Sequence, residues 1–285
     1  MTQLASQTLP DAVIEVLSPT TDRPKVTYRH SGDEYVLIEY GEMSTDFFHN
    51  LRAMGLAEQA KKITGVLDVV PSFRAVMIHF DPLTLSLHEL VEKMKESESR
   101  IGDVEQLTIP SRIVNLPAAF QDHTTTEYVE RYAKLIRPGA PNVINGHNIE
   151  YVAIYNGVTV EDVIRLVTTT EYWVAMLGFW PGLPFALPLD GRAYLTAPKY
   201  NPTRPWTPEG AFGIGGPVLA IYPIESPGGY QLLGRTVPIY DLKQRNPAFK
   251  DNPVLLKPAD RVRLTRVTDE DLQEIRRRVF DGTFR

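Results

Sequence analysis

The first part of the chain alternates between strand-like and helix-like hydrophobic patterns. Apolar and polar residues in the run 34–40 predict a strand, and apolar positions at helical spacing over 45–62 predict a helix after it. Two more strand-like runs, 65–70 and 74–80, are separated by Pro71-Ser72-Phe73, as in a hairpin. The predicted order to this point is therefore strand, helix, strand, strand.

A second helix and a last strand complete this region. Ser86 and Glu89 have the spacing of a capping box ahead of apolar helical positions. A final strand is predicted around residues 107–114, which gives the order β-α-β-β-α-β of ferredoxin-like domains. We therefore predict a ferredoxin-like α/β domain at residues 25–110, preceded by a tail at residues 1–24.

The pattern changes after residue 110 to short strands and long turns. Two helices interrupt it, at about 126–135 and at 160–169, the second after a Thr159 cap with an acidic residue at the third helical position. Charged residues with apolar positions at helical spacing predict a closing helix at 269–280. The predicted fold class is α+β, with residues 111–285 forming a β-barrel domain after the ferredoxin-like one.

Composition narrows the function classes. The net charge of −5 argues against nucleic-acid binding, which depends on clustered Lys and Arg. No apolar run approaches the roughly 20 residues of a membrane span, and no leader is visible, so we expect a cytoplasmic protein. The chain has no cysteine, which excludes disulfides and thiolate chemistry. The six histidines lack metalloprotease spacing, and no metal site is predicted.

Glycine and proline concentrate in three loops within residues 176–242. Such residues build stiff loops whose backbone a ligand can approach closely. The run 213–216 matches neither a dinucleotide-binding fingerprint nor a P-loop. The alternative interpretation is a purely structural one, a tight β-bend. If these loops form a site, their backbone N–H groups can hold a developing oxyanion. The candidate substrate-binding glycines are Gly215, Gly216, Gly228 and Gly229.

Two cationic residues are the candidates for catalysis. Lys199 lies in a proline-flanked loop that also carries Tyr200, Asn201 and Arg204, which are candidates for shaping the loop or binding substrate. Arg235 follows a glycine after a predicted strand, where it could either pair with a carboxylate or contact substrate. Fixed positive charge of this kind suits a carboxylate, carbamate or phosphate.

The loop Gly178-Phe179-Trp180-Pro181-Gly182-Leu183 carries apolar side chains that would be unusual on the surface of a monomer. Phe179, Trp180 and Leu183 are therefore predicted to contact a partner chain.

Together, Gly178–Phe185, the run Ser226-Pro227-Gly228-Gly229-Tyr230-Gln231 and Gly234-Arg235-Thr236 resemble the KipI / allophanate hydrolase subunit 1 family, also called carboxyltransferase subdomains C and D. Residues 196–204 are similar to its urea carboxylase branch. At Phe179 the chain follows the general family motif and departs from urea carboxylases, which have an acidic residue there.

The resemblance implies a ferredoxin-like domain followed by a cyclophilin-like β-barrel. It also implies half of an active site, completed by a KipA-like partner that carries subdomains A and B. The carboxyl group would come from carboxybiotin, which a biotin carboxylase and a biotin carrier supply. ATP would be used only by a partner, and biotin would not be attached to this chain. The acceptor would be a nitrogen of a urea, an amide or a guanidine, and Lys199 matches the lysine of the branch.

Two alternatives within the resemblance stay open. One is the B component of 5-oxoprolinase, part of an ATP-dependent complex that opens pyroglutamate with KipA-like and LamB/YcsF-like partners. The other is a KipI-like interaction protein that binds and inhibits a sensor kinase. A neighbouring gene for a biotin carboxylase, a LamB/YcsF-like protein or a kinase would distinguish the three.

Overall fold

The computed structural model describes residues 12–284, and the chain divides into two compact units, one ending at Pro110 and one beginning at Ser111. The first unit contains strands and helices in the order β1 Val13–Leu17, β2 Val26–His30, β3 Tyr35–Tyr40, α1 Phe47–Ala60, β4 Val66–Pro71, β5 Ala75–Phe80 and α2 Leu87–Ile101. A short 3₁₀ turn, Val104–Gln106, follows.

The first unit is built on a five-stranded sheet in the order β1-β2-β3-β5-β4, with antiparallel neighbours throughout. Alternate residues of β3, Val36, Ile38 and Tyr40, are fully buried and belong to one hydrophobic cluster with apolar residues of α1 and α2. Because successive side chains of a strand point to opposite faces, these alternate residues mark the face of the sheet that the helices cover.

Two expectations for this unit are corrected. A strand, β1, lies inside the predicted tail and pairs with β2, while residues 1–11 of that tail lie outside the described residues. The predicted sixth element is also wrong, because the strand near residue 107 begins only at Ile113 and belongs to the other unit. The observed order is β-β-β-α-β-β-α, so the ferredoxin-like order is not reproduced.

The second unit contains a closed barrel of seven strands and several helices. Its elements are β6 Ile113–Phe120, α3 His123–Leu135, α4 Ile149–Asn156, α5 Val160–Thr169, β7 Tyr172–Leu177, β8 Pro184–Pro188, β9 Arg204–Thr207, β10 Ala211–Gly215, β11 Val218–Ile221, β12 Ser226–Gly228, β13 Gln231–Thr236, β14 Arg261–Arg266 and α6 Asp269–Phe280. Two 3₁₀ turns, Gly191–Ala193 and Pro247–Phe249, lie between them.

The barrel order is β10-β11-β8-β7-β14-β6-β13, and β13 closes it by pairing with β10. β6 and β14 run parallel, with Ile113 opposite Arg261 and Ala118 opposite Arg266. At the start of this pair Arg112 bonds both oxygens of the buried Asp260, at 2.8 and 2.9 Å. β9 and β12 form a separate two-stranded ribbon, which holds the loop around Lys199 against the Pro-Gly-Gly turn.

Most helices in this unit begin directly after a residue whose side chain caps the helix N-terminus. Thr159 and Asp162 form a complete capping box: each side chain accepts a hydrogen bond from the backbone N–H of the other residue. The helix that follows, α5, has the predicted bounds. The Thr268 hydroxyl accepts from the Asp271 N–H at 3.1 Å, and α6 also has the predicted bounds. α3 begins three residues earlier than predicted because Asp122 caps it by accepting from the Thr125 N–H. α4 was not predicted.

Candidate functional site

A pocket of about 200 Å³ lies beside the β9–β12 ribbon. It brings together five of the residues singled out in the sequence, from three separate segments, with five others, of which Phe185 and Ala220 lie in barrel strands. Its lining consists of Phe179, Leu183, Phe185, Lys199, Thr203, Ala220, Tyr222, Gly228, Gly229 and Tyr230. Four aromatic rings and one primary ammonium group therefore dominate its chemistry.

Lys199 supplies the charge of this pocket. Its Nζ lies 5.4 Å from the centre of the Tyr230 ring, within reach of a cation–π contact. Within residues 12–284 no Asp or Glu oxygen lies within 4.0 Å of that nitrogen, and the residue is exposed. The ammonium group is available to an anionic group of a ligand.

Gly228 and Gly229 form a turn beside the Lys199 loop, and a Cβ on Gly229 would be 3.4 Å from Lys199 Cβ. A Cβ on Gly228 would lie 2.4 Å from the Tyr222 hydroxyl and 2.5 Å from Thr207 Oγ1, so packing alone requires a glycine there. The Gly229 carbonyl accepts from the Tyr200 N–H at 2.6 Å, which fixes the turn to the Lys199 loop. The turn therefore positions Lys199.

Two polar candidates lie beneath the pocket. Tyr200 is 4% exposed, and its hydroxyl donates to Asn148 Oδ1 at 2.7 Å. Arg204 is fully buried, its guanidinium lies 4.2 Å from the centre of the Tyr200 ring, and Nη1 donates to the Tyr230 carbonyl at 2.7 Å. Neither lines the pocket, so direct substrate contact by these two is not what the geometry supports. Asn201 is exposed, and its carbonyl accepts from Arg137.

Arg235 lies apart from Lys199. Its Nε donates to the Glu209 carbonyl at 2.7 Å, and Nη1 donates to Thr124 Oγ1 at 3.0 Å. Glu209 also pairs with Arg276 of α6. Burial, followed by the charge of Arg276, lowers the pKa of Arg235, while Glu209 raises it. Arg235 does not line the pocket and belongs to an ion network between the barrel and α6.

The two other glycine candidates also lie outside the pocket lining. A Cβ on Gly215 would meet the Tyr230 ring at 2.3 Å, so this glycine seats the ring that Lys199 faces. Gly216 has φ +58° and pairs with Ala197, its N–H donating to the Ala197 carbonyl at 2.7 Å.

The three apolar side chains of the loop 178–183 differ in their exposure to solvent. Phe179 is 66% exposed and adopts φ +68°, a left-handed conformation that is an outlier for a bulky residue. Trp180 is half-buried and packs edge-on against Phe179, with ring centres 5.9 Å apart. The expectation that Leu183 is exposed is wrong, because it is 1% exposed and forms part of the pocket wall.

Five pocket residues were not among the candidates: Phe185, Thr203, Ala220, Tyr222 and Tyr230. Tyr222 and Tyr230 stand in the apolar runs 218–222 and 230–233, whose β-branched and aromatic residues predict strands. No local signal separates a tyrosine that faces a pocket from one that fills a core. Burial is the first cause that raises the pKa of both tyrosines, so both hydroxyls stay protonated at neutral pH.

Two kinds of structure are absent from residues 12–284. No group of three or more His, Asp or Glu side chains in that range is arranged to hold a metal ion. No described helix is long and apolar enough to cross a membrane.

A family model, described as carboxyltransferase domain, subdomain C and D, matches residues 26–250. The chain belongs to this family. Among curated relatives, urea amidolyase of Lachancea kluyveri is 38% identical over 264 residues, which is 92% of this chain and 14% of that protein. The B component of 5-oxoprolinase from Bacillus subtilis is 28% identical over 249 residues, which is 84% of this chain and 92% of that protein.

Among solved structures, this chain is similar to urea carboxylase of Kluyveromyces lactis, with a TM-score of 0.85 and 35% identity over 97% of this chain and 25% of that one. Urea amidolyase of K. lactis gives a TM-score of 0.86, also at 35% identity, and 98% of this chain covers 17% of it. The chain thus spans about a seventh to a quarter of the urea-processing relatives it matches.

Proposed function

We propose that this chain is the C/D half of a biotin-dependent carboxyltransferase that transfers a carboxyl group to a urea, amide or guanidine nitrogen. The observation that carries the proposal is the likeness to K. lactis urea carboxylase, which extends over 97% of this chain at 35% identity. We also propose that the barrel is cyclophilin-like and the first domain a rearranged ferredoxin-like one, as the resemblance implies.

Lys199 is the residue to which we assign the reacting carboxyl group. Its ammonium lies in a pocket whose other walls are aromatic rings and a Gly-Gly backbone, and no described acid neutralises it. When a partner covers the pocket and excludes water, a fixed cation acts on a developing negative charge more strongly than it does in water. Lys199 therefore holds the carboxyl group and stabilises charge on its oxygens.

The donor, carboxybiotin, supplies the carboxyl group when a partner delivers it. The pocket, at about 200 Å³ with Tyr230, Phe185 and Tyr222 as walls, fits a small flat ring that bears one carboxylate. This chain's residues bind and orient that group, and ATP is used by the biotin carboxylase that charges the carrier.

We propose a KipA-like chain as the partner that completes the site. Phe179, at the rim of the pocket and 66% exposed, is the apolar group that such a partner would cover. Trp180 packs on Phe179 and would support it in the interface.

The test is reconstitution with a KipA-like partner, a biotin carboxylase and a biotinylated carrier. Incorporation of labelled bicarbonate should depend on urea, an amide or a guanidine. Lys199→Ala should lower that activity by at least about 100-fold, as loss of a charged group that acts in the transition state does. Lys250→Ala removes a lysine that is 74% exposed, and we expect it to retain full activity. Full activity in Lys199→Ala would overturn the assignment.

A second candidate, the B component of 5-oxoprolinase, is favoured by one observation. The match to the B. subtilis protein covers 92% of it, so a family member of similar extent works as a separate polypeptide. ATP hydrolysis that depends on 5-oxoproline, with KipA-like and LamB/YcsF-like partners and without a biotin carrier, would select this candidate over the carboxyltransferase.

A further inference from the structure

Arg204 is a buried cation without a described counter-ion. Its exposed fraction is 0%, and within residues 12–284 no Asp or Glu oxygen lies within 4.0 Å of its guanidinium. Nη1 donates to the Tyr230 carbonyl and Nη2 to Thr207 Oγ1 at 3.2 Å, while Nε is buried with no hydrogen-bond partner. In the described structure, this charge therefore faces neutral acceptors and aromatic rings.

Such an arrangement is costly unless something offsets it. Moving a charged group out of water without an opposite charge costs several kcal/mol, which is comparable to the whole free energy of unfolding of a small domain. A neutral residue of similar size would pack at this position without that cost. The charge itself therefore has a role, and a role for a buried charge is to act on a neighbouring site.

The neighbouring site is the Lys199 pocket. Arg204 pairs across the ribbon with Gly228, a pocket residue, and bonds the carbonyl of Tyr230, another one. The Tyr222 hydroxyl lies close to the same group: a Cβ on Gly228 would be 2.4 Å from that hydroxyl and 2.5 Å from Thr207 Oγ1, to which Arg204 Nη2 donates. Within residues 12–284 the Tyr222 hydroxyl donates to no protein acceptor, so its proton is left to donate, and Tyr222 lines the pocket.

We propose that Tyr222, which lies beside the groups that Arg204 bonds, donates its hydroxyl proton in a hydrogen bond to an anionic ligand, a carboxylate or carbamate, that Lys199 also binds. Tyr222 is then a ligand-contacting residue and Arg204 is a positioning residue. The bound anion supplies the opposite charge that Arg204 lacks. This inference deepens the proposed function and rests on it for the identity of the ligand.

The experiment compares two probes that differ in charge and hardly in shape, benzoate and benzamide. Both are flat enough for the aromatic walls, and binding to the full chain is followed by NMR titration at neutral pH. We expect benzoate to bind at least about tenfold more tightly than benzamide, because only the carboxylate meets both the ammonium and the phenol as charge-assisted bonds.

Tyr222→Phe removes one hydroxyl and preserves the ring. It should weaken benzoate binding about tenfold and benzamide binding much less, since a hydrogen bond to a charged acceptor contributes more than one to a neutral amide. The matched control is Tyr172→Phe, because the Tyr172 hydroxyl is also buried but lies on β7 and has no hydrogen-bond partner in the described structure. This control should preserve both affinities.

Arg204→Lys keeps the charge and loses the planar guanidinium, so it should lose only part of the preference for benzoate. Arg204→Met should lower the preference to that of Tyr222→Phe, because Lys199 remains. If Arg204→Met does not fold, Tyr222→Phe and Arg204→Lys decide the matter. Equal affinity of the native chain for both probes, or an unchanged preference in Tyr222→Phe, would overturn the inference.

Failure of this inference and failure of the proposed function are separable. The preference for benzoate is measured on this chain alone, whereas carboxyl transfer is measured in the reconstituted complex. If the complex transfers a carboxyl group but the chain does not prefer benzoate, the anion site is disproved and the proposed function stands. If the chain prefers benzoate but the complex transfers no carboxyl group, the proposed function is disproved and the anion site stands.

Discussion

Glu98 and Arg52 show how a single buried pair holds the first unit. Glu98 accepts from Arg52 Nη1 at 3.1 Å and from the Tyr40 hydroxyl at 2.6 Å, and both charged side chains are almost completely buried. Burial raises the pKa of Glu98, while the hydrogen bond from Tyr40 and the charge of Arg52 oppose that rise. Arg52 also donates to the carbonyls of Asp22 and Gly102. The pair thus ties two loops to the helices.

We expect Glu98→Ala to destabilise the protein by about 3–5 kcal/mol, because it leaves the Arg52 charge buried and unpaired. Urea denaturation measures this change. The matched control lies on the same helix: Glu96→Ala breaks an exposed pair with Arg100 at 3.0 Å and should cost less than about 0.5 kcal/mol. Equal effects of the two substitutions would contradict this account.

Gly234 lies in the barrel where β13 pairs with β6, opposite Phe120. A Cβ there would be 2.0 Å from the Ala119 carbonyl oxygen of β6, and backbone cannot give way as a flexible side chain can. Gly234→Ala should therefore destabilise the chain by about 1–3 kcal/mol through overpacking.

The same substitution at Gly191 serves as the comparison, since nothing lies within 4 Å of its added Cβ. Gly191→Ala should stay within about 0.5 kcal/mol of the native chain. Thermal unfolding of both variants checks the pair, and a mild effect at Gly234 would show that the strands can separate at this point.

Residue identity predicted some of the site and could not predict the rest. Lys199, Gly228 and Gly229 fell into one pocket because they stand in loops that the β9–β12 ribbon joins. Arg235 did not, because the chain supplies Glu209 and Arg276 next to it. Sequence spacing indicates that a cation is present but does not reveal which carboxylate folds onto it.

At the scale of elements, capping was the most reliable signal. α5 and α6 have the predicted bounds because a threonine side chain caps each one. α4 was missed for the opposite reason: Asn148 makes no side-chain cap bond, and Ile154 and Tyr155 are exposed, so the helix shows no clean apolar face. The strand near residue 107 was misplaced because a local pattern predicts a strand without naming its sheet.

The cap of α5 should make stability depend on pH. Hydrogen bonds from Thr159, then from Arg165, lower the pKa of Asp162 to about 2 from the ordinary 3.8. A depressed folded pKa contributes stability that is fully present above the unfolded pKa and is lost as pH falls through the folded one. The stability difference between the native chain and Asp162→Asn should therefore shrink between about pH 4 and pH 2.

Denaturation at a series of pH values follows that difference. Asp251→Asn is the control, because Asp251 is 86% exposed, lies outside any helix cap and only approaches Lys250 at 3.9 Å. A difference for Asp162→Asn that stays constant down to pH 2 would disprove the role of its charge.

At the scale of the whole molecule, each unit has its own hydrophobic core. One cluster gathers buried residues between Val26 and Met94, and the other gathers buried residues between Leu116 and Val279. Cores that share no residues are typical of domains that fold alone. We propose residues 25–110 and 111–285 as domains, the first extended at its start by β1.

Separate expression of residues 12–110 and 111–284 tests this proposal. Each piece should show a cooperative thermal transition. The far-ultraviolet circular dichroism spectra of the two pieces should sum to the spectrum of the full chain. A piece that stays unfolded until the other is added would show that the units depend on each other for folding.

The parallel pairing of β6 with β14 also has a consequence for synthesis of the chain. The two strands that meet there are separated by about 150 residues, as the Ser111–Arg261 hydrogen bond illustrates. Contacts so distant in sequence are slow to form, and this one does not exist until Arg266 has left the ribosome. Until then β6 and β7 each lack a neighbour, and exposed strand edges promote aggregation. We expect the nascent barrel to depend on chaperones for most of its translation, while the first unit is already folded.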